Sequence, residues 1–141
     1  MAMVSAAVAN DGVVMEPKLI DNVRNSRTLD TISSMKPDEL SRAVSSDTAS
    51  QLQDMMVEQV TSGTGTVAQI PDVTVGGKTG TAQHAEGAAP HAWFTSFAST
   101  EDQDIAVAVV VENGGSAGNE ASGARVAGPI AKQVMEAVIN G

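Results

Sequence analysis

Apolar residues fall at helical spacing near both ends of the chain and crowd into extended runs in its second half. Met3, Val4, Ala7 and Val8 make an apolar stripe that predicts a helix over residues 1–10. Asn10-Asp11-Gly12 ends it, with Gly12 suited to a left-handed C-terminal position. Nothing caps the start of this helix, which reads as a segment cut from something longer. Val13-Val14-Met15 reads as a short strand interrupted by Pro17, and Leu19-Ile20-Asp21-Asn22-Val23 as a second one. Arg24 to Asp47 is polar and predicts a surface excursion with one brief strand near Thr31-Ile32. A helix then starts from a Ser46 or Asp47 cap and buries Ala49, Leu52, Met55, Met56 and Val60. The methionines in it are expected as core filler. Ser62-Gly63-Thr64-Gly65 stops the helix, and Thr66 to Ile70 adds a further turn.

Three strands follow, over residues 73–83, 92–99 and 104–112. The short polar link Asp102-Gln103 predicts an antiparallel hairpin. The third strand is apolar from Ile105 to Val111, so it is expected to be central and covered on both faces, with the last helix as its cover. Asn113 to Gly123 predicts a loop. Val126, Ile130, Val134 and Val138 then mark the buried stripe of that helix, with Pro129 in an early turn. The pattern as a whole predicts an α+β architecture: helices packed on an antiparallel sheet, in one domain or one half of a domain.

Composition narrows this picture. A chain of 141 residues can hold one modest core, and 42% hydrophobic residues argue against disorder. With 2% aromatics, the core must be built mainly from Val, Ile, Ala, Leu and Met. The net charge of -9 lacks the basic footprint that nucleic acid requires. It also sets Lys78 apart, because that cation belongs to no general basic field. The absence of cysteine excludes disulfides and thiolate metal sites, and His84 and His91 are too few for a histidine-rich one. No metal or cofactor is expected. There is no apolar run long enough to span a bilayer and no signal-peptide pattern at the start.

The chemistry concentrates in Gly76-Gly77-Lys78-Thr79-Gly80-Thr81-Ala82-Gln83. A phosphate-loop reading of Gly77-Lys78-Thr79 fails, because position 72 is Asp rather than Gly and the run lies on a strand. A cation and hydroxyls on a strand suit a carboxylate ligand and acyl transfer at a peptide carboxyl terminus. Lys78 and Thr79 alternate in side, so a twist at the glycines is expected to bring both toward one groove. Gly80 leaves room for a substrate backbone to lie alongside as an added strand, and the Thr81 N–H is a natural oxyanion donor. The plainer alternative, a strand-edge lysine in a soluble mixed fragment, leaves the spacing of Gly76-Gly77 and Gly80 unexplained.

With these residues in view, the chain resembles the C-terminal part of the transpeptidase domain of a class B penicillin-binding protein, most similar to the actinobacterial type. Gly77-Lys78-Thr79-Gly80-Thr81-Ala82-Gln83 matches the third family motif. Ala9-Asn10-Asp11-Gly12 resembles the family helix end, and Ser62-Gly63-Thr64-Gly65-Thr66 the turn ahead of the motif strand. Trp93-Phe94-Thr95-Ser96-Phe97 resembles the next strand, with Ser96 where glycine is more usual. The resemblance covers nearly all of residues 1–141. It implies a penicillin-binding-protein/serine β-lactamase-like fold and a peptidoglycan D,D-transpeptidase that cross-links stem peptides through a serine acyl-enzyme. It assigns Lys78, Thr79, Gly80 and Thr81 to substrate or β-lactam binding. Lys78 also supports the electrostatics of the serine centre, and Thr81 supplies an oxyanion-hole N–H. Trp93 and Phe94 are expected as packing.

The family nucleophile sits in Ser-x-x-Lys, with Ser-x-Asn or Ser-x-Asp further along. Ser33-Ser34-Met35-Lys36 has the first spacing but lies in the polar segment before Pro37, and no second motif lies between Lys36 and Lys78. Ser33 therefore reads as a chance match. The expectation is a chain that carries only the Lys-Thr-Gly wall, is inactive alone, and works with an upstream half of the same protein that holds the serine. The expected partners are that half, stem peptides, β-lactams and other cell-wall synthesis proteins. The expected location is the extracytoplasmic face of the membrane, anchored through an upstream segment. A serine β-lactamase or D,D-carboxypeptidase of the same fold, and a non-catalytic domain binding peptide termini or a divisome partner, remain as alternatives.

Overall fold

The computed structural model describes residues 1–141. Helix α1 covers Ala2–Ala9. Its buried positions are Ser5, Ala7 and Val8, whereas Met3 and Val4 are exposed. The predicted stripe is thus rotated. Small residues let α1 lie close to the sheet, where the hydroxyls of Ser5 and Thr95 hydrogen-bond at 2.6 Å. Gly12 has φ +82, as its place at the helix end predicts, and a Cβ there would meet the Val44 carbonyl oxygen at 2.3 Å.

The segment after α1 holds the strands expected at Val13–Met15 and near Thr31-Ile32 and adds one at Glu39–Arg42. Strand β1 (Val13–Met15) pairs antiparallel with β4 (Glu39–Arg42), and β2 (Asn22–Arg24) pairs with β3 (Thr31–Ser34). The expected excursion over 24–47 is therefore two nested ribbons. The strand expected at Leu19–Val23 begins only at Asn22, with Leu19 and Ile20 exposed. Strands β3 and β4 are exposed at every residue, so no buried face imposes an alternating pattern that sequence could reveal.

Helix α2 spans Ser46–Thr61. Its cap is Ser45, one residue ahead of the expected Ser46 or Asp47, and its hydroxyl accepts from the Thr48 N–H at 3.2 Å. Ala49 and Val60 are buried as expected, but Met55 is exposed. A single 3-10 turn at Thr66–Ala68 follows.

The main sheet consists of β5 (Thr74–Ala82), β6 (His91–Ser99) and β7 (Asp104–Val111). The order is β5-β6-β7, all antiparallel. The expectation of a central β7 fails: consecutive hairpins put β6 in the middle, and Val107 alone is buried on β7. On one face of the sheet, Val75, Phe94, Ala98 and Val107 meet Val60, Ala68, Ala127, Ala131 and Met135 to form the core. Helix α1 lies on the other face.

Residues Glu112–Glu120 form 3-10 turns interrupted by left-handed Asn113, Gly114, Gly115 and Gly118, in place of the loop expected there. The last helix has two parts. A π-helical turn, Gly123–Ala127, is capped by Ser122, and α3 then runs over Gly128–Ile139 with Pro129 in its first turn. Its buried line is Ala127, Ala131 and Met135, while Ile130, Val134 and Val138 are 41–47% exposed. The predicted stripe is off by one residue, because small side chains are what allow the helix to approach Phe94.

Candidate active site

The motif strand β5 pairs with β6 in unbroken register, from Thr74 opposite Ser99 to Ala82 opposite His91. Directly opposed residues share a face, so Lys78 lies with Thr95, Gly80 with Trp93 and Gly76 with Phe97, while Thr79 lies on the other face with Phe94. The register holds through the glycines, so Lys78 and Thr79 keep opposite faces without a twist, yet both line one pocket at the strand edge. Lys78 Nζ curls onto the Thr79 carbonyl oxygen at 2.7 Å.

The two glycines before Lys78 answer to the core. A Cβ at Gly76 would lie 2.3 Å from Phe97 Cζ, and one at Gly77 would lie 2.7 Å from Phe94 Cζ. Packing thus explains the Gly76-Gly77 spacing that the plainer strand-edge alternative was expected to leave unexplained. Gly80 differs: a Cβ there would meet nothing nearer than Trp93 Cβ at 3.2 Å. That contact is tight, but no other atom would lie within 4 Å. Gly123, at the start of the π-helical turn, sits over the Trp93 carbonyl and the Gly80 amide, where a Cβ would be 2.1 and 2.8 Å away. Gly80 therefore pairs inward with Trp93. By the alternation of an antiparallel ladder, Thr79 and Thr81 turn their backbone groups to the outer edge, which has no strand partner. Thr81 itself is exposed.

A pocket of about 370 Å³ is lined by Met1, Lys78, Thr79, Gly80, Trp93 and Thr95. Its cation is uncommitted: the ion pairs of the molecule involve Lys18, Arg125 and Lys132, not Lys78. One of the three ammonium donors goes to the Thr79 carbonyl, leaving two for an anion. Phe94 is fully buried, as expected for packing, whereas Trp93 is half-buried and borders the pocket. The imidazoles of His84 and His91 stack with centroids 4.0 Å apart. His91 Nδ1 accepts from the Asn113 N–H at 2.9 Å, and His84 Nε2 lies 3.1 Å from the Ala89 carbonyl oxygen, so the pair braces the loop after β5. Ser33 sits exposed on β3 opposite Val23, away from any helix.

The profile described as the penicillin binding protein transpeptidase domain matches residues 1–136. The chain belongs to that family. The peptidoglycan D,D-transpeptidase PbpA of Mycolicibacterium smegmatis is 41% identical over 143 residues, covering 98% of this chain and 28% of that protein. Among solved structures, the D,D-transpeptidase domain of a peptidoglycan glycosyltransferase from Eggerthella lenta superposes with a TM-score of 0.82 at 37% identity, covering 99% of this chain and 31% of that one. The ceftriaxone acyl-enzyme complex of penicillin-binding protein A from Mycobacterium tuberculosis also gives a TM-score of 0.82, at 38% identity, covering 96% of this chain and 31% of that one. This family member thus spans under a third of the length of these relatives. Helices on an antiparallel sheet are the fold of the penicillin-binding transpeptidase domain, as the resemblance implied.

Sequence reasoning overlooked two residues around the motif of this transpeptidase-family chain. Thr64 hydrogen-bonds Thr79 across 3.1 Å, and Ser5 holds Thr95, the residue opposite Lys78. Thr64 carried a signal, since the Ser62-Gly63-Thr64-Gly65 turn precedes the motif strand. Ser5 carried none, being one polar residue in an apolar helix.

Proposed function

We propose that this chain forms the Lys-Thr-Gly wall of a serine-type peptidoglycan D,D-transpeptidase site, completed by an upstream part of the same protein that carries the nucleophile. The observation that carries this reading is the unpaired Lys78 at the open edge of β5, beside an outward Thr81 N–H and the space at Gly80. In this reading a stem peptide lies along the edge as an added strand, with its terminal carboxylate held by Lys78 and Thr79. The serine attacks the carbonyl of the penultimate D-Ala, and the Thr81 N–H stabilises the oxyanion. Terminal D-Ala leaves, and an amine from a neighbouring stem resolves the acyl-enzyme. A β-lactam imitates the substrate and stays on the serine; the Mycobacterium tuberculosis relative forms an acyl-enzyme with ceftriaxone.

Exposed apolar residues support a missing neighbour. Met3 and Val4 on α1, Val110 on β7, and Ile130, Val134 and Val138 on α3 are all exposed, and β7 has an unpaired outer edge. An upstream half would cover such surfaces and edges. The site then belongs on the extracytoplasmic side of the membrane, with the anchor upstream; no helix described here is long and apolar enough to cross a bilayer.

The test uses the parent protein that contains both the serine and this chain. Lys78→Ala is expected to slow acylation by penicillin ~10–100-fold, the worth of one charge-assisted hydrogen bond. Acylation at the wild-type rate in that variant would remove Lys78 from the site.

A further inference from the structure

We infer that Gln59 and Thr64 are positioning residues that fix the direction of the Thr79 hydroxyl. This rests on the acyl-transfer reading and adds to it. Gln59 lies in the last turn of α2, Thr64 in the turn that follows, and Thr79 on β5. Gln59 Nε2 donates to Thr64 Oγ1, and Thr64 Oγ1 lies 3.1 Å from Thr79 Oγ1. The turn is folded tightly back to make this chain of contacts. The Gly65 N–H donates to the Gln59 carbonyl at 3.0 Å, and a Cβ at Gly63 would fall 2.8 Å from the same oxygen. The two glycines are therefore what allow Thr64 to reach both α2 and β5.

A hydroxyl has one proton to give and two lone pairs to receive. The Gln59 amide fills one lone pair of Thr64 and leaves its proton available to Thr79, and the inferred polarity places that proton there. The Thr79 proton is then free for an outside acceptor. An ionised carboxylate only accepts, so this polarity makes Thr79 complementary to the carboxylate of a ligand. The opposite polarity, with Thr79 donating to Thr64, would present a lone pair to that anion. Gln59 and Thr64 touch neither the ligand nor the reacting atoms; they act by setting which way Thr79 donates.

The test is acylation of the full parent protein by a penicillin with a free carboxylate and by its carboxyl methyl ester. Wild type is expected to favour the free acid. Thr64→Val removes the donor and is expected to reduce the acid-to-ester preference about tenfold, with Thr64→Ser restoring it. Gln59→Glu supplies an acceptor that draws the Thr64 proton away from Thr79, so it is expected to reduce the same preference while leaving ester acylation near wild type. A merely structural defect slows both reagents alike and overturns the inference. An unchanged ratio in Thr64→Val and Gln59→Glu, with wild type still favouring the acid, overturns it while sparing the acyl-transfer reading. A wild-type protein that is not acylated, or that shows no preference for the acid, removes both.

Discussion

Gly76 and Gly77 face opposite sides of β5, one beneath Phe97 and the other beneath Phe94. Gly80, three residues further on, faces Trp93 alone, whose Cβ would stand 3.2 Å from an added Cβ. One motif therefore holds glycines required for two different reasons. Gly77→Ala drives a methyl into a fully buried ring and is expected to destabilise the fold by about 1–3 kcal/mol. Gly80→Ala is expected to destabilise less than Gly77→Ala in urea unfolding, because Trp93 alone must yield, while impeding a ligand backbone that lies along the edge. Equal destabilisation by both variants would contradict the division. The motif and its strand-borne lysine were legible in the sequence because spacing and residue type suffice to mark them. The packing role of Gly76 and Gly77 was not, since the rings that demand it arrive on β6, well along the chain.

Helices and strands were located well by periodicity, but the faces they bury were harder to read. In α1 and in the last helix several larger aliphatic residues, among them Val4, Ile130, Val134 and Val138, look outward, and Ser5, Ala7, Ala127 and Ala131 are buried beside Val8 and Met135. A hydrophobicity pattern ranks Val above Ala, whereas a helix lying tightly on a sheet selects for small volume. Ala131→Leu is accordingly expected to cost about 1–3 kcal/mol of stability, and Val134→Leu less than about 0.5 kcal/mol, by thermal unfolding. The reverse ranking would restore the stripe that the sequence suggests. Three of the four ribbon strands were legible in the sequence, but β4 and the nested pairing were not, because the ribbons bury almost nothing; local polar contacts hold them instead. Lys18 bridges Asp38 and lies 3.7 Å from Glu16. The hydrogen bond with Asp38 is the main cause that raises the Lys18 ammonium above its ordinary 10.5; desolvation opposes it, and the charges of Asp38 and Glu16 add to it. The folded value exceeds the unfolded one, so this contribution is complete below pH 10.5 and is lost as pH climbs through the folded value. The difference in Tm between wild type and Lys18→Met is therefore expected to be constant through neutral pH and to close in the alkaline range above 10.5. A difference that persists unchanged there would assign the effect of the substitution to packing.

For the whole molecule, one sheet joins two kinds of surface. Its β5 edge presents Lys78, Thr79 and Thr81 around open space, and its β7 edge lies among exposed apolar side chains of α1 and α3. The first suits a carboxylate-bearing ligand, the second a further part of the same fold. Ser5 is buried against Thr95, Ser96 is buried against Val107 and Met135, and Ser33, which has the Ser-x-x-Lys spacing, stands on an exposed ribbon. The central claim is thus a division of labour, with the nucleophile upstream and the carboxylate-binding wall here. Intact-mass spectrometry after incubation with penicillin tests it most directly, on the parent protein and on the 141-residue chain side by side. The parent is expected to gain the mass of one penicillin, on a peptide upstream of Met1, and the shorter chain to gain none. A penicillin adduct on the 141-residue chain alone, or a parent protein whose mass never changes, would contradict it.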